Sequence, residues 1–162
     1  MVNTLGLDIK DAGKKGMVMR RILTTFIHCF IILLTFYILF YLSHTVLTLY
    51  LFIWAAHNNY LYLWVIAVIL AIFQKPSVAY SITAGNVAGV IIGQYLGDYI
   101  QAVRSAKITD TMSAEMIHHL SNHHGALIWL IVILVSIAVG ILLQIRYTQK
   151  HTSSTVNVPQ IP

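Results

Sequence analysis

Long stretches without a charged side chain are the feature that most constrains this chain. Residues 22–74 contain no Lys, Arg, Asp or Glu, and residues 126–145 contain none either. The chain has 162 residues, of which 58% are hydrophobic and 9% charged, whereas an ordinary soluble domain has about 25% charged residues. These charges are too few to cover a water-facing surface. The sequence therefore predicts an all-α integral membrane protein.

The apolar segments predict about four membrane spans. They cover residues 22–43, 57–74, 77–98 and 126–145. A single helix over residues 45–73 would be about 43 Å long, which exceeds what a bilayer accommodates even with tilt. We therefore expect residues 45–56 to re-enter the membrane or to lie on its surface. Lys75-Pro76 is expected to form the turn before the third span.

The basic residues predict the orientation of the spans. If both termini face the cytoplasm, that side holds eight basic residues and the other side two, Arg104 and Lys107. The eight are Lys10, Lys14, Lys15, Arg20, Arg21, Lys75, Arg146 and Lys150. This asymmetry fits the positive-inside rule for a bacterial-type plasma-membrane protein. Basic residues that face the lipid bilayer also explain the net charge of +5, so the charge does not indicate a nucleic-acid partner.

These segments divide the chain into three parts. Residues 1–21 form a basic cytoplasmic head, and residues 22–145 form a single transmembrane domain. Residues 146–162 contain Ser, Thr and Pro and are expected to form a flexible tail.

Small residues recur at every fourth position of the third predicted span. At about 100° per residue they form one stripe without side-chain bulk, so that another backbone can approach closely. This glycine stripe consists of Ser81, Gly85, Gly89, Gly93 and Gly97. The spacing is that of a glycine zipper. It predicts helix–helix packing, either within the chain or between copies in a homo-oligomer.

Polar side chains border the glycine stripe on the same predicted helix. Asn86, Gln94 and Asp98 project at roughly 100°, 180° and 220° from Gly85. Polar groups at bilayer depth usually face a partner helix or an aqueous cavity. Two interpretations follow. These residues either bind a solute on a permeation surface, or they form hydrogen bonds across a helix–helix interface.

Histidines cluster in the long polar connection before the last span. Residues 113–124 are predicted to form a short amphipathic helix, capped by Ser113 or Asp110 and ended by Gly125. On such a helix Glu115, His119 and His123 share one face, with His118 and His124 beside them. His119 and His123 are spaced to bind one Zn²⁺ or Cu²⁺. A response to pH and a plain interfacial helix are the other interpretations.

No catalytic motif accompanies these features. The sequence has no Walker A motif, no G-x-S-x-G, no H-E-x-x-H and no CxxC. We therefore assign no catalytic residue, and an enzyme is not the favoured class.

The leading hypothesis is a transport or permeation component, acting as a homo-oligomer or as a membrane subunit beside a partner such as an ATPase. The first alternative is an accessory or scaffolding membrane protein that moves nothing. The second is a metal-dependent membrane enzyme using the cluster His118–His124.

Overall fold

The computed structural model describes residues 3–47, 49–109 and 111–156, and all of its regular structure is helical. The elements are α1 (Asn3–Thr45), α2 (Tyr50–His57), a 3-10 turn (Asn59–Tyr62), α3 (Leu63–Ile72), α4 (Pro76–Ser105), α5 (Ala114–Ser121) and α6 (Gly125–Val156). The predicted all-α fold class is confirmed.

Three helical stretches are long and apolar enough to cross a membrane. They are Lys15–Thr45, Pro76–Ser105 and Ala114–Gln149. The pair Tyr50–His57 and Asn59–Ile72 passes the same test jointly but is bent by 57°, so the described residues supply three such segments, or four if the bent pair counts as one. The predicted spans at 22–43, 77–98 and 126–145 lie within α1, α4 and α6.

The helices extend further than the predicted spans at both ends of the chain. Helix α1 begins at Asn3, so the described part of the head predicted at residues 1–21 is helical and continuous with the first span. Residues 1–2 lie outside the described part of the chain. The tail predicted at residues 146–162 begins inside α6, which is helical to Val156. Residues 157–162 lie outside the described part of the chain.

The predicted second span, residues 57–74, contains a break in the helix. Asn59, Tyr60, Leu61 and Tyr62 have φ between 47° and 58°, in the left-handed region. Each left-handed residue with a Cβ costs about 1–2 kcal/mol, somewhat less for Asn. Burial of Tyr60 offsets part of this cost, since its ring packs edge-on against Phe36 and its hydroxyl lies 3.3 Å from Oγ of Ser43. Regular α-helix therefore begins only at Leu63.

Most of the short helix α2 lies in residues 45–56, the segment predicted to be re-entrant or interfacial. Its residues Leu51, Phe52, Ala55 and Ala56 are buried against the rest of the molecule. The ring of Trp54 meets that of Trp129 of α6 edge-on, with centroids 5.8 Å apart. This helix is therefore packed into the bundle.

The glycine stripe lies along the most extensive helix contact, between α4 and α6. A Cβ added at Gly89 would lie 2.8 Å from Cδ1 of Trp129, and one added at Gly93 would lie 2.7 Å from the carbonyl oxygen of Gly125. Gly85 faces Ser136, Gly97 faces His123, and Ser81 faces Gly140 of α6. The stripe therefore contacts α6 of the same chain, which runs antiparallel to α4.

The predicted amphipathic helix at 113–124 is shorter than expected. Helix α5 is capped by Ser113, whose Oγ accepts a hydrogen bond from the backbone N–H of Met116 at 3.3 Å. The helix ends at Ser121 because Asn122 is extended, with φ −70° and ψ 132°. Gly125 begins α6, so the expectation that it ends this helix was wrong. His123 lies beyond the end of α5, so the helical face expected for Glu115, His119 and His123 contains only the first two.

Candidate functional site

Gln94 is the central polar residue of α4. Its side chain is buried, with 2% exposed. Oε1 accepts a hydrogen bond from the backbone N–H of Leu51 at 2.7 Å, and Nε2 donates to Oδ2 of Asp98, also at 2.7 Å. Leu51 lies in the first turn of α2, where N–H groups lack helical partners, and no side chain at the N-cap position Leu49 supplies one. Gln94 thus accepts the hydrogen bond of a free N–H at the start of α2 and connects this helix to Asp98.

His123 contacts the other oxygen of the Asp98 carboxylate. Its Nε2 lies 3.1 Å from Oδ1 of Asp98, and its Nδ1 accepts a hydrogen bond from the backbone N–H of Gly125 at 3.1 Å. Because Nδ1 is an acceptor, the proton of a neutral ring is on Nε2, which donates to the carboxylate. The imidazole side chain is buried, with 7% exposed, whereas that of Asp98 is 49% exposed.

The exposed side of Asp98 faces a cavity of about 400 Å³ between the end of α4, the start of α2 and the end of α5. It is lined by Tyr50, Asp98, Gln101, His118, Ser121, Asn122 and His123. Gln101 joins α4 to α5 here, since its Nε2 donates to the carbonyl oxygen of Ser121 at 2.7 Å. The Tyr50 and His123 rings lie 4.8 Å apart between centroids. We call this space the polar cavity.

Asn86 lies away from the polar cavity. It is buried, with 1% exposed, and its Oδ1 accepts a hydrogen bond from Nε1 of Trp129 at 3.1 Å. Its Nδ2 has no hydrogen-bond partner among the described residues. Twelve positions separate Asn86 from Asp98 in the sequence, or about 18 Å along the helix axis. The candidate solute-binding residues therefore lie in two places. Gln94 and Asp98 are hydrogen-bonded to each other beside the polar cavity, whereas Asn86 forms a hydrogen bond between α4 and α6.

Two of the predicted metal ligands contact Arg104. Its Nη1 lies 2.7 Å from Nε2 of His124, and its Nη2 lies 3.2 Å from Nδ1 of His119. The Nδ1 of His124 lies 2.9 Å from the carbonyl oxygen of Asn122, which places its proton there. Each ring thus accepts from the guanidinium on one nitrogen atom, and that nitrogen is not available to a metal ion while the bond is made.

The predicted metal ligands are dispersed around α5. His123 pairs with Asp98, His118 lines the polar cavity, and Glu115 and His119 line a separate, smaller cavity on α5. Within the described residues, no three His, Cys, Asp or Glu side chains are placed to hold one metal ion. Zinc binding stays a prediction, without a preformed three-ligand cluster in this part of the chain.

Sequence reasoning did not find four residues that shape this region. Tyr50, Gln101, Arg104 and Trp129 all form their contacts across helices. In the sequence, Tyr50 is typical of the aromatic residues found at a membrane boundary, and Arg104 is one of the basic residues used to predict the orientation of the spans. No local spacing connects any of them to the polar edge of α4. Only the packing of α2, α5 and α6 around α4 does so.

Comparisons with known proteins add no family assignment. No protein-family model matches the chain, and neither the comparison with curated proteins nor that with solved structures finds a match.

Proposed function

We propose that this chain is an integral protein of the plasma membrane with four spans: α1, the bent pair α2–α3, α4 and α6. Support comes from their hydropathy and from the large apolar side chains that they expose. Exposed examples are Ile22, Phe26, Phe30, Ile92, Leu96, Leu127, Leu134 and Leu142. Such a surface is unfavourable in water and suited to lipid.

The distribution of charge supports an orientation with both termini in the cytoplasm. Arg20 and Arg21 precede the first apolar stretch, Lys75 lies in the turn before α4, and Arg146 follows the last one. The positive-inside rule favours the cytoplasm for all of them. In this orientation the polar cavity, at the opposite end of α4 from Lys75, opens to the outside.

Within this topology we propose that the chain is a component of a transport system and that a solute engages it at the polar cavity. One observation carries the proposal. The half-exposed Asp98 faces the polar cavity and is connected through Gln94 to the N-terminal turn of α2, the first half of a broken helix. The first N–H groups of a helix lack intrahelical partners, so the start of α2 favours a polar site inside the bundle.

A second candidate function is favoured by a different observation. Asn86 and Gln94 are buried and make hydrogen bonds inside the chain, so neither amide lines an open path. This fits an accessory protein that holds a partner and moves nothing. In either case we propose a homo-oligomer or a membrane partner such as an ATPase subunit. Native mass spectrometry of the protein extracted from its own membrane tests that assembly.

The transport proposal is tested with purified protein in proteoliposomes. Solute-induced currents on a solid-supported membrane are measured for a panel of amines, amino acids and sugars. We expect a current for at least one class, abolished in Asp98→Asn and retained in Glu115→Gln, which removes a carboxylate outside the polar cavity. If no solute gives a current, with or without the co-purified partner, the accessory function replaces the transport proposal.

A further inference from the structure

We propose that the polar cavity binds a small organic monocation, an ammonium or guanidinium compound, with the Asp98 carboxylate as counter-ion and the Tyr50 ring as one wall. This inference names the ligand class of the proposed transport function and rests on it for the role of the ligand. The binding itself is argued from charge, hydrogen-bonding capacity and size.

In the part of the chain that the structure describes, no Lys or Arg pairs with the Asp98 carboxylate. Among the described residues, His123 is the one basic side chain paired with its carboxylate. The N–H of Gly125 donates to Nδ1 of that ring, so Nε2 is the atom that donates to the carboxylate. The nearby cation Arg104 is directed at His119 and His124 instead. Of the described side chains that line the polar cavity, Asp98 is the one acidic group, and none is Lys or Arg.

The hydrogen-bonding groups around Asp98 suit a ligand that donates. Each carboxylate oxygen accepts one bond, from Gln94 or His123, and has a second lone pair for a ligand. Gln101 donates one N–H of its amide to the carbonyl oxygen of Ser121, and its Oε1 is a further hydrogen-bond acceptor in this region. The carboxylate would repel an anionic ligand, whereas an ammonium or guanidinium group would donate charge-assisted hydrogen bonds to its open lone pairs.

Size and wall chemistry narrow the class further. A volume of about 400 Å³ is in the range of small-molecule sites and far larger than a bare ion needs. A divalent metal would require more ligands than the single carboxylate, and the described residues contain no cluster of three. Tyr50 lines the polar cavity beside His123, and an aromatic side chain at such a site attracts an organic cation. One carboxylate balances one positive charge.

Binding is measured without transport, on the full-length protein in nanodiscs by isothermal titration calorimetry. The probes are choline, its neutral isostere 3,3-dimethylbutan-1-ol, and methylguanidinium. We expect at least one of the two cations to bind and the neutral isostere not to bind. In Asp98→Asn, which keeps the shape and an acceptor oxygen, affinity should fall about tenfold or more, because the ligand loses its one charge partner. Glu115→Gln should stay within about twofold of the wild type.

The Tyr50 wall gives a second, independent outcome. Tyr50→Leu removes the aromatic face and leaves the carboxylate, so choline should lose more affinity than methylguanidinium does. Thermal unfolding of each variant establishes that the protein is folded. The inference is overturned if neither cation binds, if the isostere binds as well as choline, or if Asp98→Asn binds cations like the wild type.

The outcomes separate this inference from the transport proposal. Cation binding lost in Asp98→Asn, with no current in proteoliposomes, supports the ligand class and contradicts transport. A current induced by a neutral or anionic solute, without cation binding, supports transport and contradicts the ligand class.

Discussion

Gln94 replaces the missing N-cap of α2. Its amide has one acceptor and one donor group, and both are used by partners on different elements, Leu51 and Asp98. A buried donor or acceptor without a partner costs about 1–3 kcal/mol. Removing this amide therefore affects three groups: the amide itself, the free N–H at the start of α2 and the carboxylate in the polar cavity.

Gln94→Leu is expected to destabilise the protein by about 1–3 kcal/mol, because the N–H of Leu51 loses its acceptor in a buried environment. Gln144→Leu is the matched control. The Oε1 of Gln144 is buried without a partner among the described residues, so its removal should leave stability unchanged or raise it. Thermal unfolding in detergent, followed by tryptophan fluorescence, measures both variants. Equal stability of the two would contradict a capping role for Gln94.

At the scale of elements, α4 and α6 approach each other closely because both present small residues at their contact. The backbones of Gly93 and Gly125 meet directly, and Ser81 of α4 faces Gly140 of α6. In lipid such contacts depend on dispersion and on close packing, since apolar surface gains nothing by leaving a lipid tail. Even a methyl group therefore matters at these positions.

Gly93→Ala is expected to destabilise the α4–α6 contact by about 1–3 kcal/mol, the usual cost of overpacking. Its Cβ would lie 2.6 Å from Cδ2 of Leu51 and 2.7 Å from the carbonyl oxygen of Gly125, and a backbone oxygen cannot rotate away. Gly16→Ala in α1 is the control, because a Cβ there meets no atom within 4 Å. It should gain about 0.5–1 kcal/mol of helix propensity. Unfolding temperatures in detergent compare the two.

The contact lies within one chain, so Gly93→Ala should lower the unfolding temperature of the monomer. A variant that loses self-association with unchanged monomer stability would instead assign the glycine stripe to a contact between copies. Native mass spectrometry at matched detergent concentration distinguishes the two results.

Elements built from local patterns could be predicted from the sequence. The apolar segments placed α1, α4 and α6, and Ser113 was one of two predicted caps for α5. The left-handed turn at Asn59–Tyr62 could not be predicted, because it contains no glycine and depends on burial of Tyr60 against α1. Nor could the partners of Gln94 and Asp98, since Leu51 and His123 are 43 and 25 positions away in the sequence.

At the scale of the whole molecule, the bent pair α2–α3 decides the topology. If the pair crosses the membrane, eight basic residues face the cytoplasm and two face outward. If it re-enters and returns to the same side, Arg104 and Lys107 join the five head residues inside, and Lys75, Arg146 and Lys150 move outside. The count is then seven against three. The positive-inside rule favours the crossing by a single residue.

We therefore predict that cysteines at three positions label in an alternating order. In a Cys29→Ser background, which must itself stay unlabelled, Thr111→Cys should react with an impermeant maleimide in intact cells. Phe73→Cys and Tyr147→Cys should react only after lysis. Phe73 and Tyr147 have exposed side chains at the ends of α3 and α6 away from the polar cavity, and Thr111 is exposed between α4 and α5.

Crossing by α2–α3 places Phe73 and Tyr147 in the cytoplasm and Thr111 outside. A re-entrant pair reverses all three, because every helix after the pair then runs in the opposite direction. The inverse pattern, with Phe73→Cys and Tyr147→Cys labelled in intact cells and Thr111→Cys protected, would reduce the spans to α1, α4 and α6. It would also place Asp98 and the polar cavity on the cytoplasmic side, where an organic cation would have to be supplied from inside the cell.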